Sequence, residues 1–304
     1  MLSLRSGRKI AMIDNDKKRC IYLKDDKGQP AEIETTPEQR MKMFEKFLKL
    51  DKKLRQAEIN LMKEKYDGRK VELPDKLFRK FEDASEYVEN SLKKHLDYGF
   101  ESELFPIIDD ESYRMFVSGL SGSGKSHFIA SFLKHNKPTT EGSGIFLFSP
   151  VQNDRALESV KNLIHLDLDE VEKELKKEFE VEDIPMGSIV IFDDIESYPK
   201  YVAKKYMDLR DIIAERGRHR KISLISVSHN ATNGHATKVQ IRESQYWVLF
   251  PKFNARDTRN LLKVYGGLDK GEIDRIMSMN TRWLLYRKAV PKYAVGQHSV
   301  LALD

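Results

Sequence analysis

Short apolar runs separated by longer polar stretches fill the chain from Tyr113 onward. Met115–Val117, Ile145–Phe148, Ile189–Phe192, Ile222–Val227 and Tyr246–Phe250 are rich in Ile, Val and Phe. Runs of this kind predict strands buried on both faces of a mainly parallel sheet, with the polar stretches between them as crossover helices. The first third has another texture. Residues 1–34 hold alternating segments, Lys9–Ile13 and Arg19–Leu23, broken by polar clusters such as Asp25-Asp26-Lys27-Gly28, the pattern of a small hairpin. Thr36-Pro37-Glu38-Gln39 predicts a helix start, with a Thr cap, Pro in the first turn and Gln at the capping-box position. Behind it Met43, Phe47, Leu50, Leu54, Ala57 and Leu61 form a heptad-like seam on a helix to about Tyr66. A second helical stretch is expected over about Glu86–Leu96. The chain should therefore divide near residue 110, with an N-terminal extension of hairpin and helices (1–110) before an α/β domain (111–304) of about five strands.

Composition narrows the class. The chain has 304 residues, 40% of them hydrophobic and 33% charged, enough apolar material for a real core under a well-solvated surface. No stretch approaches the roughly 20 apolar residues of a membrane span. The N-terminus carries basic residues but no apolar run after them, so no secretory signal is expected. A lone cysteine, Cys20, rules out an intrachain disulfide and favours a reducing compartment. The net charge of +5 permits contact with nucleic acid without requiring it.

The chemistry starts at Gly119-Leu120-Ser121-Gly122-Ser123-Gly124-Lys125-Ser126, which fits G-x-x-x-x-G-K-[ST] at every position. An apolar strand precedes it and a helix over about His127–Leu133 should follow. Glycines let such a loop fold around an anion with its amide groups turned inward, and the helix dipole adds partial positive charge there. Lys125 should reach the β- and γ-phosphates, the Ser126 hydroxyl should ligate Mg²⁺, and His127 completes the cofactor-binding stretch. Ser188-Ile-Val-Ile-Phe-Asp193-Asp194 is an apolar strand ending in two carboxylates, where ligands sit in an open α/β sheet. Asp193 is expected to hold the Mg²⁺ shell and Asp194 to orient or deprotonate the attacking water, with Glu196 competing as base.

Between Lys125 and Asp193 lies one further run, Ile145–Phe148. It points to a strand inserted between the phosphate-loop strand and the carboxylate strand, as in RecA-like P-loop NTPase cores. Asn136-Lys137-Pro138-Thr139 superficially matches a guanine-specificity motif. It follows the loop too closely and has Pro in place of the acid, so ATP is the expected nucleotide. Further on, Arg216-Gly217-Arg218 feeds the strand that ends in Ser228-His229. His229 is a candidate nucleotide sensor. Arg216 or Arg218 is a candidate arginine finger reaching a neighbouring subunit, with a solvated basic turn or DNA-phosphate contacts as the other readings.

Gly119–Ser126, Ile189–Asp194, Arg216-Gly217-Arg218 and Ser228-His229, together with Asn260–Leu268, resemble the FtsK/HerA superfamily of P-loop ATPases. The likeness is greatest to the genome-packaging ATPases of large eukaryotic DNA viruses (the poxvirus-type branch), and it covers about residues 113–296. Two departures stand out. The superfamily commonly has Asp-Glu after the strand where this chain has Asp193-Asp194, and glutamine where His229 stands. The resemblance implies a homo-oligomeric ring that hydrolyses ATP with Mg²⁺ and translocates double-stranded DNA without regard to sequence. It also implies a capsid or portal partner and a location in the host cytoplasm, a viral factory or the virion. Lysines and arginines within Lys200–Arg210, or Lys252, Arg256 and Arg259, are the candidate DNA contacts. A nucleotide-dependent adaptor or switch and a small-molecule P-loop kinase are the alternatives.

Overall fold

The computed structural model describes residues 2–4, 6–23, 94–138, 140–152, 154–231 and 235–303. In chain order the strands are β1 (Leu2–Ser3), β2 (Arg8–Ile13), β3 (Asp16–Leu23), β4 (His95–Asp97), β5 (Leu104–Pro106), β6 (Arg114–Ser118) and β7 (Ile145–Phe148). They continue as β8 (Leu163–His165), β9 (Ile189–Phe192), β10 (Ser223–Ser228), β11 (Tyr246–Leu249), β12 (Leu284–Arg287), β13 (Tyr293–Gly296) and β14 (Ser299–Ala302). The helices are α1 (Lys125–His135), α2 (Arg155–Glu158), α3 (Leu168–Leu175), α4 (Lys200–Arg216), α5 (His235–Glu243), α6 (Ala255–Val264) and α7 (Lys270–Ser278).

A ten-stranded sheet in the order β4-β14-β13-β12-β11-β6-β10-β9-β7-β8 forms the centre. The strands from β11 to β8 pair in parallel and include all five of the predicted runs. Beyond β11 the sheet continues antiparallel through β12, β13, β14 and β4. The fold is α/β with a P-loop NTPase strand order. The strand between β6 and β9 is β10, whereas the sequence pointed to Ile145–Phe148. That run, β7, pairs on the far side of β9. Chain order alone does not fix spatial order, and the long crossover after β9 carries β10 back to the centre.

Alternation along the strands sends side chains to both faces of the sheet. Met115 and Val117 of β6, Ile189 and Ile191 of β9, and Ile225 and Val227 of β10 pack with Phe128, Ile129, Phe132 and Leu133 of α1. The other face is split. Val190, Phe192 and Leu224 meet Tyr206, Leu209 and Ile213 of α4, while Phe116, Trp247 and Leu249 meet Leu261, Leu262, Ile273 and Ile276 of α6 and α7. With both faces covered, the strands become the continuous apolar runs seen in the sequence.

The predicted hairpin forms as β2 and β3, turning at Asp14 and Asn15, both at positive φ as a tight hairpin turn demands. Together with β1 and β5 they make a four-stranded sheet whose Ile10, Ile13, Ile21 and Leu104 join the α1-side core. The helix predicted from Thr36 to about Tyr66 lies outside the described residues, as does 86–93. The end of the second predicted helix is corrected: His95–Asp97 is a strand, because Leu96 gains a ladder partner in Val300 of β14. No helix among the described residues is long and apolar enough to cross a membrane.

Candidate functional site

Register brings three strand ends to one edge. Val117 and Ser118 of β6 pair with Val227 and Ser228 of β10, and Ser226 of β10 pairs with Phe192 of β9. The residues that follow are therefore neighbours in space: Gly119 on the phosphate loop, His229, and Asp193-Asp194. They open on a cleft of about 500 Å³ lined by Ser121, Gly122, Gly124, Lys125, Ser126 and His127 on one side and Asp193, Asp194 and His229 on the other. This is the edge at the carboxyl ends of the parallel strands, where an open α/β sheet binds its ligands.

The loop owes its shape to two glycines. A Cβ on Gly119 would stand 2.7 Å from both the Phe250 ring and Ser123 Oγ, so any side chain there displaces the wall of the loop. Gly124 has a φ of 105° and ends the loop as the cap of α1, a conformation side-chain-bearing residues avoid. Leu120 and Ser121 are exposed at the rim and Ser123 is fully buried. Ser123 Oγ has no hydrogen-bond partner. A glycine-lined cradle with an orphaned hydroxyl at a helix N-terminus fits an anionic phosphate chain.

Lys125 is buried and folds back on the loop. Its Nζ donates to Gly119 O at 2.8 Å and Leu120 O at 3.3 Å, and lies 3.3 Å from His229 Nδ1. The opposite ring nitrogen, His229 Nε2, is 3.2 Å from Asp194 Oδ1. With Lys125 donating to Nδ1, the ring proton sits on Nε2 and is donated to Asp194. A relay Lys125–His229–Asp194 thus crosses the cleft. Burial lowers the Lys125 pKa, against the pull of Asp193 and Asp194. Burial also pushes Asp193 up to about 6, helped by Asp194 and Asp154 and opposed by Lys125 and His229.

Asp194 stands at φ 54°, a left-handed position that aspartate tolerates, and it opens a short turn at the β9 end. Glu196, the competing base, takes a different place. Its Oε1 is 3.7 Å from Arg210 of α4, which is 2% exposed, and it is not among the residues lining the cleft. Ser126 and Asp193 could together hold a magnesium ion. Mg²⁺ takes one or two protein ligands and fills the rest of its shell with water and substrate phosphates. The described residues contain no cluster of three or more His, Cys, Asp or Glu suited to a metal held by protein alone. That donor set suits an ion carried in with a nucleotide.

Arg216 and Arg218 are not part of this cleft. They lie at the end of α4 and in the turn before β10, and both are exposed. β10 then runs the depth of the sheet before reaching Ser228, so both arginines sit at the opposite edge from the cleft of their own chain. Three of the basic residues considered for DNA contact are otherwise engaged. Arg210 is buried against Glu196 and Asp211, Lys205 bonds Asp169 and Glu172, and Arg259 bonds Asp274. Lys200, Lys204, Lys252 and Arg256 remain exposed. Asn136 caps α1, bonding Pro106 O, Phe132 O and the Ile108 amide, a structural duty.

Three charged lining residues had no signal in the sequence. Asp154 accepts from the amides of Ala156 and Leu157 to start α2, with Arg155 beside it. Arg282 arrives from the segment before β12, placed at the loop only because β12 pairs with β11.

No protein-family model matches the chain. In sequence it is 29% identical over 192 residues to "Uncharacterized protein V3" of Sputnik virophage, covering 62% of this chain and 76% of that protein. Among solved structures it is similar to the genome packaging NTPase B204 of Sulfolobus turreted icosahedral virus 2 in complex with ATP-gammaS, at 14% identity and a TM-score of 0.35 over 59% of this chain and 93% of that one. It is also similar to the pCW3 conjugation coupling protein TcpA, at 15% identity and a TM-score of 0.39 over 69% of this chain and 66% of that one.

Proposed function

We propose that this chain is an ATP-hydrolysing motor of the FtsK/HerA type that translocates double-stranded DNA, packaging a viral genome as a homo-oligomeric ring. The observation that carries the ATPase reading is the single cleft in which the phosphate loop faces Asp193, Asp194 and His229. The DNA step rests on the sequence resemblance of the segments quoted above, and the similarity to a virophage protein agrees with a viral setting.

In this reading the loop amides and Lys125 bind the β- and γ-phosphates, Lys125 leaving the Gly119 and Leu120 carbonyls as it does so. Ser126 and Asp193 hold Mg²⁺, which supplies neutralising charge at the phosphate oxygens. Asp194 orients the attacking water and receives its proton, and His229 fixes the Asp194 carboxylate while reporting on the state of Lys125. Arg216 or Arg218 serves the cleft of the next subunit. Lys200, Lys204, Lys252 and Arg256 are the exposed cations left to meet DNA phosphates, and a capsid or portal protein would receive the ring.

The test is ATP turnover with and without long duplex DNA, alongside a mass measurement of the assembly. Lys125→Ala should abolish turnover. Asp194→Asn should retain nucleotide while hydrolysis drops by about 10²–10⁴-fold. Steady turnover indifferent to DNA would remove the motor reading, and slow turnover with nucleotide-dependent partner exchange would point to a switch. A wild-type protein that retains no magnesium nucleotide would overturn the ATPase reading itself.

A further inference from the structure

Arg282 lies at the mouth of the phosphate loop. Its Nε donates to Ser123 O at 3.1 Å. The guanidinium carbon lies 5.8 Å from the centroid of the exposed Phe253 ring, a cation–π support. A Cβ on Gly124 would stand 3.2 Å from Nε and 3.3 Å from one terminal nitrogen, so the glycine is what admits the guanidinium this close. Arg282 has no ion-pair partner among the described residues. An arginine anchored at Nε, set over a ring and lacking a carboxylate keeps its terminal N–H groups available to an anion held by the loop, whose cleft it lines.

The sheet order says which part of the anion that is. Asp193 and Asp194 follow β9, two strands from β6 on one side. Arg282 precedes β12, two strands from β6 on the other. The metal and the terminal phosphate belong with the acids, so Arg282 stands over the inner phosphates. Beyond it a second groove of about 210 Å³, lined in part by Phe105, His127, Phe128 and Trp283, gives the nucleoside an aromatic wall to lie against.

We infer that Arg282 is a nucleotide-binding residue acting within its own subunit. It clamps the α- and β-phosphates opposite the metal side and directs the nucleoside into the aromatic groove. The inference rests on the ATPase reading above.

Arg282→Gln keeps a donor for the Ser123 carbonyl but removes the charge and the fork, and Arg282→Lys keeps a charged donor without the Nε–H or the fork. Binding of magnesium ATP, magnesium ADP and inorganic pyrophosphate is measured on the full chain, with thermal melts to confirm folding. Arg282→Gln should weaken ATP and ADP alike by about tenfold or more, the usual loss for a hydrogen bond to a charged group. It should also weaken pyrophosphate and flatten the salt dependence of binding, while Arg282→Lys recovers part of the loss. If the wild type binds ATP and folded Arg282→Gln binds all three as well, Arg282 merely props the loop and the inference fails while the ATPase reading stands. If the wild type binds none of them, the ATPase reading fails first.

Discussion

Gly119 is the tightest point of the cradle, pressed between the Phe250 ring and Ser123 Oγ. Gly119→Ala should cost about 1–3 kcal/mol as an overpacked site and lower the melting temperature, with nucleotide retention lost as the loop shifts. A variant that melts and binds like the wild type would show that the loop has slack there. The loop, the strand-end acids and His229 were all legible in the sequence, because each is defined by a local pattern: a glycine spacing, or a polar residue where an apolar run stops. Arg282 had no such mark. It reaches the loop through a pairing of β12 with β11 that no local window contains. Glu196 competes with Asp194 in the sequence, two residues away, and the fold separates them: Asp194 meets His229 on the cleft, while Glu196 turns to the buried Arg210.

The elements are joined by a polar knot between the two sheets. Arg8 of β2 and Tyr246 of β11 both donate to Asp110, and Arg287 of β12 bonds the same tyrosine hydroxyl at 3.3 Å. Burial drives the Tyr246 pKa far upward, so it stays a neutral donor throughout the working range. Asp110→Ala leaves that phenol and Arg8 without their acceptor and should cost about 1–3 kcal/mol, seen as a lower urea midpoint. An unchanged midpoint would mean that apolar packing alone holds the hairpin sheet in place. Five of the six parallel strands were predicted because runs buried on both faces stand out against polar crossovers. Strands β8, β12, β13, β14 and β4 did not stand out in this way: His165, Arg287, Gly296, Ser299 and the pair His95 and Asp97 leave each without a continuous run of Ile, Val and Phe.

For the whole molecule, the depth of the sheet separates function from function. Arg216 and Arg218 sit at the opposite edge of the sheet from their own cleft, so a role as arginine finger would have to be played at a neighbour's cleft. Subunits carrying Arg216→Ala or Arg218→Ala are mixed with subunits carrying Lys125→Ala. A finger mutant should regain turnover in such mixtures, because its intact cleft can receive an arginine from the loop-deficient partner. Mixtures as silent as either parent would remove the trans role for that arginine.

The ladder between β4 and β14 joins Leu96 to Val300, and so ties the first strand of the ten-stranded sheet in chain order to the last. A growing polypeptide therefore carries two hungry edges, 95–97 and 293–296, until β14 has left the ribosome. A chain cut before Ser299 would leave both bare, and such a shortened product should clump during synthesis rather than fold.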